Sequence, residues 1–269
     1  MHDIGLIMKF IFVNDIHANS AALKNFSKIL STLDFDKLVF LGDLLSYGVN
    51  VKQTIGLMHK LADSYDCIFI KGNHDQIYFD YQNNQDYQYK KFPEFIIESI
   101  LDTANKLEGL LIHEFAWINS FCYKDIIFSH ANLCEYGNWS YLNSEKDFAL
   151  NYDILIKNNW RGAIFGHTHR AKYKKYQYDG ISTDITELPI NTNIDFYQAD
   201  RFLVTNGSIG QPRGSVASFL VCEIDDNKVA LRSVPMNYDI AAHCQSIIDS
   251  NLTTKTQRKL LSYYSEVLS

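Results

Sequence analysis

Short apolar, β-rich runs in this chain end abruptly on polar residues, and they do so repeatedly. Residues 9–13 run into Asn14-Asp15, residues 37–41 into Gly42-Asp43, and residues 67–70 into Gly72-Asn73. Between them, residues 20–33 carry Leu23, Phe26 and Leu30 at helical spacing, and residues 51–61 also read as helix. This βαβαβ rhythm predicts a mostly parallel sheet with helices packed on it. Further on, residues 126–128 lead into Ser129-His130 and residues 163–165 into Gly166-His167. Open α/β sheets form their sites beyond the carboxyl ends of strands, so location alone marks these polar residues.

The second half adds β-like segments at 172–178, 202–205, 218–224 and 229–234. A second sheet facing the first makes the expected fold class α/β: a four-layer α/β/β/α sandwich of two mixed sheets flanked by helices. Two helices are expected in the tail, one capped by Asp239 and one from Thr253 or Thr254 to Val267. With no internal repeat or low-complexity linker, residues 1–269 read as one domain. Residues 8–236 would form the sandwich and 237–269 would pack on it. Met8 opens the first strand, so residues 1–7 read as an extension.

A chain of 269 residues, 46% hydrophobic and 21% charged, can bury a substantial core. Its net charge of −6 disfavours bulk nucleic-acid binding, though a local basic groove stays open. Cys67, Cys122, Cys134, Cys222 and Cys244 lie in no CxxC pair and read as reduced thiols. No apolar run reaches the length of a membrane span and no signal peptide is evident, so a cytoplasmic location is expected. Oligomeric state cannot be read from the sequence.

The polar residues at the strand ends carry the chemistry. Asp15-Ile16-His17 sets two potential ligands on one side of an extended strand end. In GDLLSYG, Gly42 lets backbone approach closely and leaves Asp43 room to bridge two cations. In GNHD, Asn73 offers a neutral carbonyl oxygen, while His74 can protonate a departing alkoxide, with Asp75 holding its tautomer. His167 and His169 of GHTHR lie two apart like a pair of imidazole ligands, and His130 is the weakest piece. Each fragment alone also fits a capped turn or a core histidine; their joint order after successive strands argues for a site. Hard oxygen and imidazole ligands without thiolate suit Mn²⁺, Fe or Zn²⁺. A two-metal centre of that kind suits displacement at phosphorus.

Two stretches stay open. Residues 78–95 carry Tyr78, Phe79, Tyr81, Tyr87, Tyr89, Phe92 and Phe95 among polar residues, and read either as core cover or as a lid whose rings stack on a base. Residues 170–178 alternate Lys and Tyr and read as an exposed strand, or as a place where Arg170 and Lys172 meet phosphate.

The order D-x-H, GD, GNHD, H, GHTH resembles the calcineurin-like metallophosphoesterase superfamily over nearly the whole chain. TNGSIGQPRGSVASF resembles an element of its bacterial and archaeal branch of small phosphodiesterases and diadenosine tetraphosphatases. The resemblance implies two divalent ions (Mn, Fe, Zn or Ni, with Mn favoured). One ion would take Asp15, His17, Asp43 and His169, the other Asp43, Asn73, His130 and His167. It implies His74 as acid, paired with Asp75, and a bridging hydroxide as nucleophile. Arg213 matches the family's arginine after Gln-Pro, and either clamps a phosphoryl oxygen or joins segments by a salt bridge. Ala18 and Ala131 stand where glycine is usual, and Thr205-Asn206 where Asn-Pro is usual.

The expectation is a phosphoric ester hydrolase, foremost a phosphodiesterase on a small or nucleotide-type substrate, with Arg170, Arg213 and Tyr78 as substrate contacts. A dinucleoside polyphosphate hydrolase and a phosphomonoesterase or protein phosphatase are the alternatives. A non-catalytic scaffold on this fold would have lost ligands or His74, and this chain keeps them.

Overall fold

The computed structural model describes residues 7–85, 91–177, 181–213 and 216–265. Its elements open with β1 (Met8–Val13), α1 (Ser20–Leu30), β2 (Lys37–Phe40), α2 (Val51–Ser64), β3 (Cys67–Ile70) and α3 (Asn73–Gln82). There follow α4 (Glu94–Lys106), α5 (Leu111–Glu114), β4 (Trp117–Ile118), β5 (Ser120–Tyr123), β6 (Ile126–Ser129), α6 (Glu145–Lys157) and β7 (Gly162–Phe165). The rest comprises β8 (Lys172–Tyr176), β9 (Thr186–Glu187), β10 (Ile194–Tyr197), β11 (Arg201–Thr205), β12 (Ser218–Ile224) and β13 (Lys228–Pro235). The chain closes with α7 (Ile240–Ile248) and α8 (Thr254–Leu261).

The strands form two mixed sheets, ordered β10-β13-β12-β1-β2-β3-β4 and β5-β6-β7-β11-β8-β9. β1, β2, β3 and β4 run parallel, with β12 antiparallel on the other side of β1. In the second sheet β7 is parallel to both β6 and β11. Side-chain alternation decides the layers. Phe10 and Phe12 of β1 join Phe128, Ile164, Phe202 and Val204 of the opposite sheet in one apolar cluster. Ile11 and Val13 pack instead with Leu23 and Phe26 of α1, Met58 and Leu61 of α2, Ile77 of α3 and Ile100 of α4. Phe148 and Leu155 of α6 cover the outer face of the second sheet with Ala163, Phe165 and Leu203. The result is the expected four-layer sandwich.

Some boundaries differ from the sequence reading. α1 stops at Leu30, where the Ser31 N–H turns back to Ser27 and the Thr32 N–H to Ile29, and α2 continues to Ser64. α8 ends at Leu261, and the expected end at Val267 lies outside the described residues, as does Tyr178. α4 and α6 were not foreseen. α6 opens on a reciprocal cap in which Ser144 and Asp147 each take the other's backbone N–H. Among the described residues no helix is long and apolar enough to cross a membrane.

Candidate metal centre

Strand ends deliver the polar residues to one place. β1 supplies Asp15 and His17, β2 Asp43, and β3 Asn73 and His74, which open α3. β6 supplies His130, and β7 supplies His167 and His169. Asp15, His17, Asp43, His167 and His169 all have left-handed backbones, with φ between +49° and +64°. Each such conformation costs roughly 1–2 kcal/mol for a residue with a Cβ, so the surrounding structure must enforce it. Gly42 (φ +98°) and Gly72 make that possible, because a Cβ on Gly42 would meet His130 Nδ1 at 2.5 Å. A Cβ on Gly72 would meet Asp43 Oδ1 at 2.1 Å.

Two ligand groups result: Asp15, His17 and His169, and Asp43, His130 and His167, all buried. Each imidazole is fixed by a carbonyl on its far nitrogen. His17 Nδ1 donates to Leu45 (3.1 Å), His130 Nδ1 to Leu41 (2.6 Å), His169 Nδ1 to Gln211 (2.6 Å) and His167 Nε2 to Trp139 (2.9 Å). A carbonyl only accepts, so in each neutral ring the other nitrogen turns a lone pair inward. His17 Nε2 and His169 Nε2 stand 3.2 Å apart, with Asp15 Oδ1 3.4 Å from the latter. That carboxylate oxygen is buried and has no hydrogen-bond partner among the described residues. Three acceptors converging without a donor are a cradle for a cation. In the second group His130 Nε2 lies 3.2 Å from His167 Nδ1, 3.0 Å from Asn73 Oδ1 and 3.5 Å from Asp43 Oδ2. Asp43 Oδ2 is also 3.9 Å from His17 Nε2, so one carboxylate oxygen reaches both groups. Its Oδ1 accepts the His74 backbone N–H (2.9 Å).

The electrostatics fit the same reading. Burial raises Asp15 to about 7. Burial would raise Asp43 too, but His130, His74 and His17 hold it well below the carboxylate range. Burial would lower His130, yet Asp43 and Asp15 lift it to about 9. Burial lowers His17 and His167 to about 3 and His169 well below its usual value, helped by His130 at His167 and by Arg213 at His169. Each group therefore holds one group that retains a proton near neutrality, Asp15 in the first and His130 in the second, where a cation would neutralise the same charge.

His74 stands beside both groups, its ring 5.3 Å from that of His17. Its Nδ1 is 2.8 Å from Ser46 Oγ, and that hydroxyl in turn meets the Tyr78 hydroxyl. Here the structure corrects two expectations. The Asp75 carboxylate does not hold the imidazole; it accepts the N–H groups of Asp43 (2.8 Å), Leu44 (3.0 Å) and Gly72 (2.8 Å), stapling the GD turn to the start of α3. Tyr78 is not a substrate contact, because it is 0% exposed and its ring packs in the core behind Ser46. With Phe79 also buried, the start of the aromatic stretch is core cover, and Phe95 belongs to α4. Tyr87 and Tyr89 lie outside the described residues.

The profile of the calcineurin-like phosphoesterase family matches residues 8–171, the span that carries every one of these candidate ligands and His74. The chain belongs to that family. It is similar to the uncharacterized protein MJ0912 of Methanocaldococcus jannaschii, at 25% identity over 89% of this chain and 92% of that protein. The fold is similar to a metallophosphoesterase from Sphaerobacter thermophilus (21% identity, TM-score 0.72, covering 95% of this chain and 99% of the other). It is also similar to the hypothetical protein PH1004 from Pyrococcus horikoshii OT3 (15% identity, TM-score 0.66, covering 94% and 97%). As a metallophosphoesterase the chain is a phosphoester hydrolase.

In this phosphoesterase Arg213 lies partly buried beside the first group. Its Nη2 donates to Gln211 Oε1 (3.3 Å), and its guanidinium sits 5.7 Å from the centre of the Tyr263 ring. No carboxylate of the described residues pairs with it, against the salt-bridge alternative, and its buried Nε has no partner there. Arg170 is exposed and shares a cavity of about 80 Å³ with Arg213, at the edge of the centre.

Sequence reasoning missed several supports of the phosphoesterase site. Asn14 donates both to Asp15 Oδ2 and to the Gly207 carbonyl (2.9 Å). Asn206 donates to Asn14 Oδ1 (2.6 Å) and to the Phe12 carbonyl (3.2 Å), while its own N–H reaches the Phe165 carbonyl (2.7 Å). The residue standing where proline is usual therefore braces the Asp15 carboxylate through Asn14, with an N–H that proline lacks. Trp139 supplies the carbonyl for His167, and Tyr141 stacks on that imidazole with ring centres 4.2 Å apart. Nothing in the sequence pairs Asn14 with Asn206; each shows only as a polar residue at a strand end.

Proposed function

We propose that this metallophosphoesterase is a phosphodiesterase acting on a small or nucleotide-type substrate. Asp15, His17, Asp43 and His169 would hold one divalent ion and Asp43, Asn73, His130 and His167 the other, Mn²⁺ being favoured by hard oxygen and imidazole donors without thiolate. The observation that carries this is the shared reach of Asp43 Oδ2 to both imidazole groups beside a histidine held by a hydroxyl. A bound pair of cations supplies positive charge at the phosphoryl group and acidity to water.

The chain's own residues do the rest. Arg213 orients a phosphoryl oxygen with the positive guanidinium it holds beside the first group. Ser46 holds Nδ1 of His74, so Nε2 carries the proton given to the leaving oxygen. To give up that proton His74 must start as imidazolium, so its Nδ1–H donates to Ser46 Oγ before and after the transfer, and the hydroxyl accepts without favouring the charged form as a carboxylate would. The Arg213 guanidinium beside the first group suits a diester, which carries one negative charge. Residues 237–265 belong to the same unit on this reading, because the Tyr264 hydroxyl donates to the Gly210 carbonyl (2.9 Å) on the loop that leads to Arg213. The free cysteines favour a reducing, cytoplasmic setting.

The test is a panel assay of metal-stripped protein reloaded with Mn²⁺, Fe²⁺, Zn²⁺ or Ni²⁺. Substrates are bis-p-nitrophenyl phosphate, p-nitrophenyl phosphate, cyclic nucleotides and diadenosine tetraphosphate. The diesters should turn over fastest with Mn²⁺; turnover of the monoester alone would overturn the diester assignment.

A further inference from the structure

Beside the second ligand group, under the loop that follows β6, lies a cavity of about 320 Å³, lined among others by His130, Asn132, Tyr136, Asn138, Trp139 and Trp160. It is at the lower end of small-ligand sites, roughly 300–1,000 Å³. Its walls carry the aromatic rings of Tyr136, Trp139 and Trp160, side chains of the kind on which a nucleobase stacks. The loop is built rather than loose. The Asn132 amide donates to the carbonyls of Asn138 (2.9 Å) and Ser140 (3.0 Å), and its Oδ1 accepts the Cys134 N–H (2.9 Å). Ser129 Oγ donates to the Asn132 carbonyl (2.8 Å), and the Leu133 N–H reaches Asn151 (2.7 Å) of α6. The cavity lies next to the candidate metal centre. His130 is both a wall and a candidate ligand, its ring 5.9 Å from Trp139, whose carbonyl anchors His167.

We propose that this cavity receives the nucleobase of a nucleotide ester whose phosphorus lies at the metal centre. The inference rests on the phosphoesterase reading and gives it a substrate class. The aromatic surface comes from Tyr136, Trp139 and Trp160, and not from residues 78–95, whose first rings are buried. Two of the chain's three tryptophans line the cavity, so a base entering it perturbs their emission.

The experiment measures binding of adenosine 5′-monophosphate, ribose 5-phosphate and p-nitrophenyl phosphate to Mn²⁺-loaded protein, by tryptophan emission and by calorimetry. Wild type should bind the nucleotide at least tenfold more tightly than ribose 5-phosphate, about 1.4 kcal/mol. Trp160→Ala should erase that advantage while keeping wild-type Mn²⁺ content and unchanged affinity for ribose 5-phosphate. Should Trp160→Ala fail to fold, Tyr136→Ala at the exposed rim should lower the nucleotide affinity severalfold by the same measurement. Equal affinity for nucleotide and ribose 5-phosphate in wild type overturns the proposal, even if the diesters are hydrolysed. An equal loss for p-nitrophenyl phosphate in the variant overturns the nucleobase assignment in favour of any planar ring. Base-selective binding with no phosphoester turnover leaves the cavity assigned and instead refutes the diesterase reading.

Discussion

His74 turns Nδ1 to Ser46 Oγ, 2.8 Å away, while its sequence neighbour Asp75 is engaged by three backbone N–H groups. The orienting group is thus a hydroxyl backed by the buried Tyr78. Ser46→Ala should cut kcat on alkyl diesters about tenfold, and His74→Asn by about 10²–10⁴-fold, the range of a lost general acid. Both should spare p-nitrophenyl esters, whose leaving group needs little protonation, and both should leave metal content unchanged. Full activity of Ser46→Ala on an alkyl diester would remove Ser46 from this role.

Asp43 Oδ2 lies 3.5 Å from His130 Nε2 and 3.9 Å from His17 Nε2. If that oxygen bridges, Asp43→Ala should lose both ions together. Elemental analysis of the purified variant should find well under one ion per chain. Retention of one full equivalent would mean that the two groups bind independently.

Much of this was legible beforehand, for a physical reason. Strand ends that stop on Asp, Asn or His are visible as breaks in apolar runs, so β1, β2, β3, β6 and β7 and the candidate ligands after them could be read in order. Ser46, Asn14 and Asn206 could not, because their roles depend on side chains meeting across more than two dozen to nearly two hundred positions. Asp75 was misread for the complementary reason. Adjacency suggested a carboxylate–imidazole pair, but the first turn of a helix points its third residue back at the preceding N–H groups. Tyr78 misled through composition, since a helical tyrosine four residues after His74 falls on the core side of α3.

Metal uptake should release protons. Near pH 7.5 the Asp15 carboxyl, raised to about 7 by burial, and the His130 imidazole, raised to about 9 beside Asp43, are partly and mostly protonated. A cation displaces those protons, so apparent affinity should rise with pH from about 6 to about 9. Calorimetry of Mn²⁺ binding in buffers of different ionisation enthalpy should report about one proton released, or somewhat more. A buffer-independent heat would contradict this pair of protonation states.

Two glycines should respond oppositely to alanine. At Gly72 a Cβ would lie 2.1 Å from Asp43 Oδ1 and 2.6 Å from the Asp43 nitrogen, so the Asp43 carboxylate must move. Gly72→Ala should destabilise by about 1–3 kcal/mol, as overpacking does, and lower metal content. Gly56 lies within α2, where a Cβ meets nothing within 4 Å. Gly56→Ala should stabilise by about 0.5–1 kcal/mol through helix propensity alone. Urea denaturation of both variants separates the effects, and equal signs would refute the steric account of Gly72.

Acid sensitivity should have a source outside the metal centre. His243 of α7 is 2% exposed, with Nε2 2.9 Å from the Tyr264 hydroxyl, and burial pushes it down to about 4. Unfolded, it titrates near 6.5. Between those values the unfolded chain binds more protons than the folded one, so the neutral histidine's contribution is complete above pH 6.5 and drains away as pH falls to 4. The shift corresponds to on the order of 3 kcal/mol across that window. His243→Gln keeps a hydrogen-bonding group but cannot take up the proton. Its stability in urea should therefore fall less steeply than wild type between pH 6.5 and 4, while the two slopes match above pH 7. Parallel curves through the acid window would show that α7 opens to water before His243 is protonated, and that the docking of α7 and α8 does not depend on its charge.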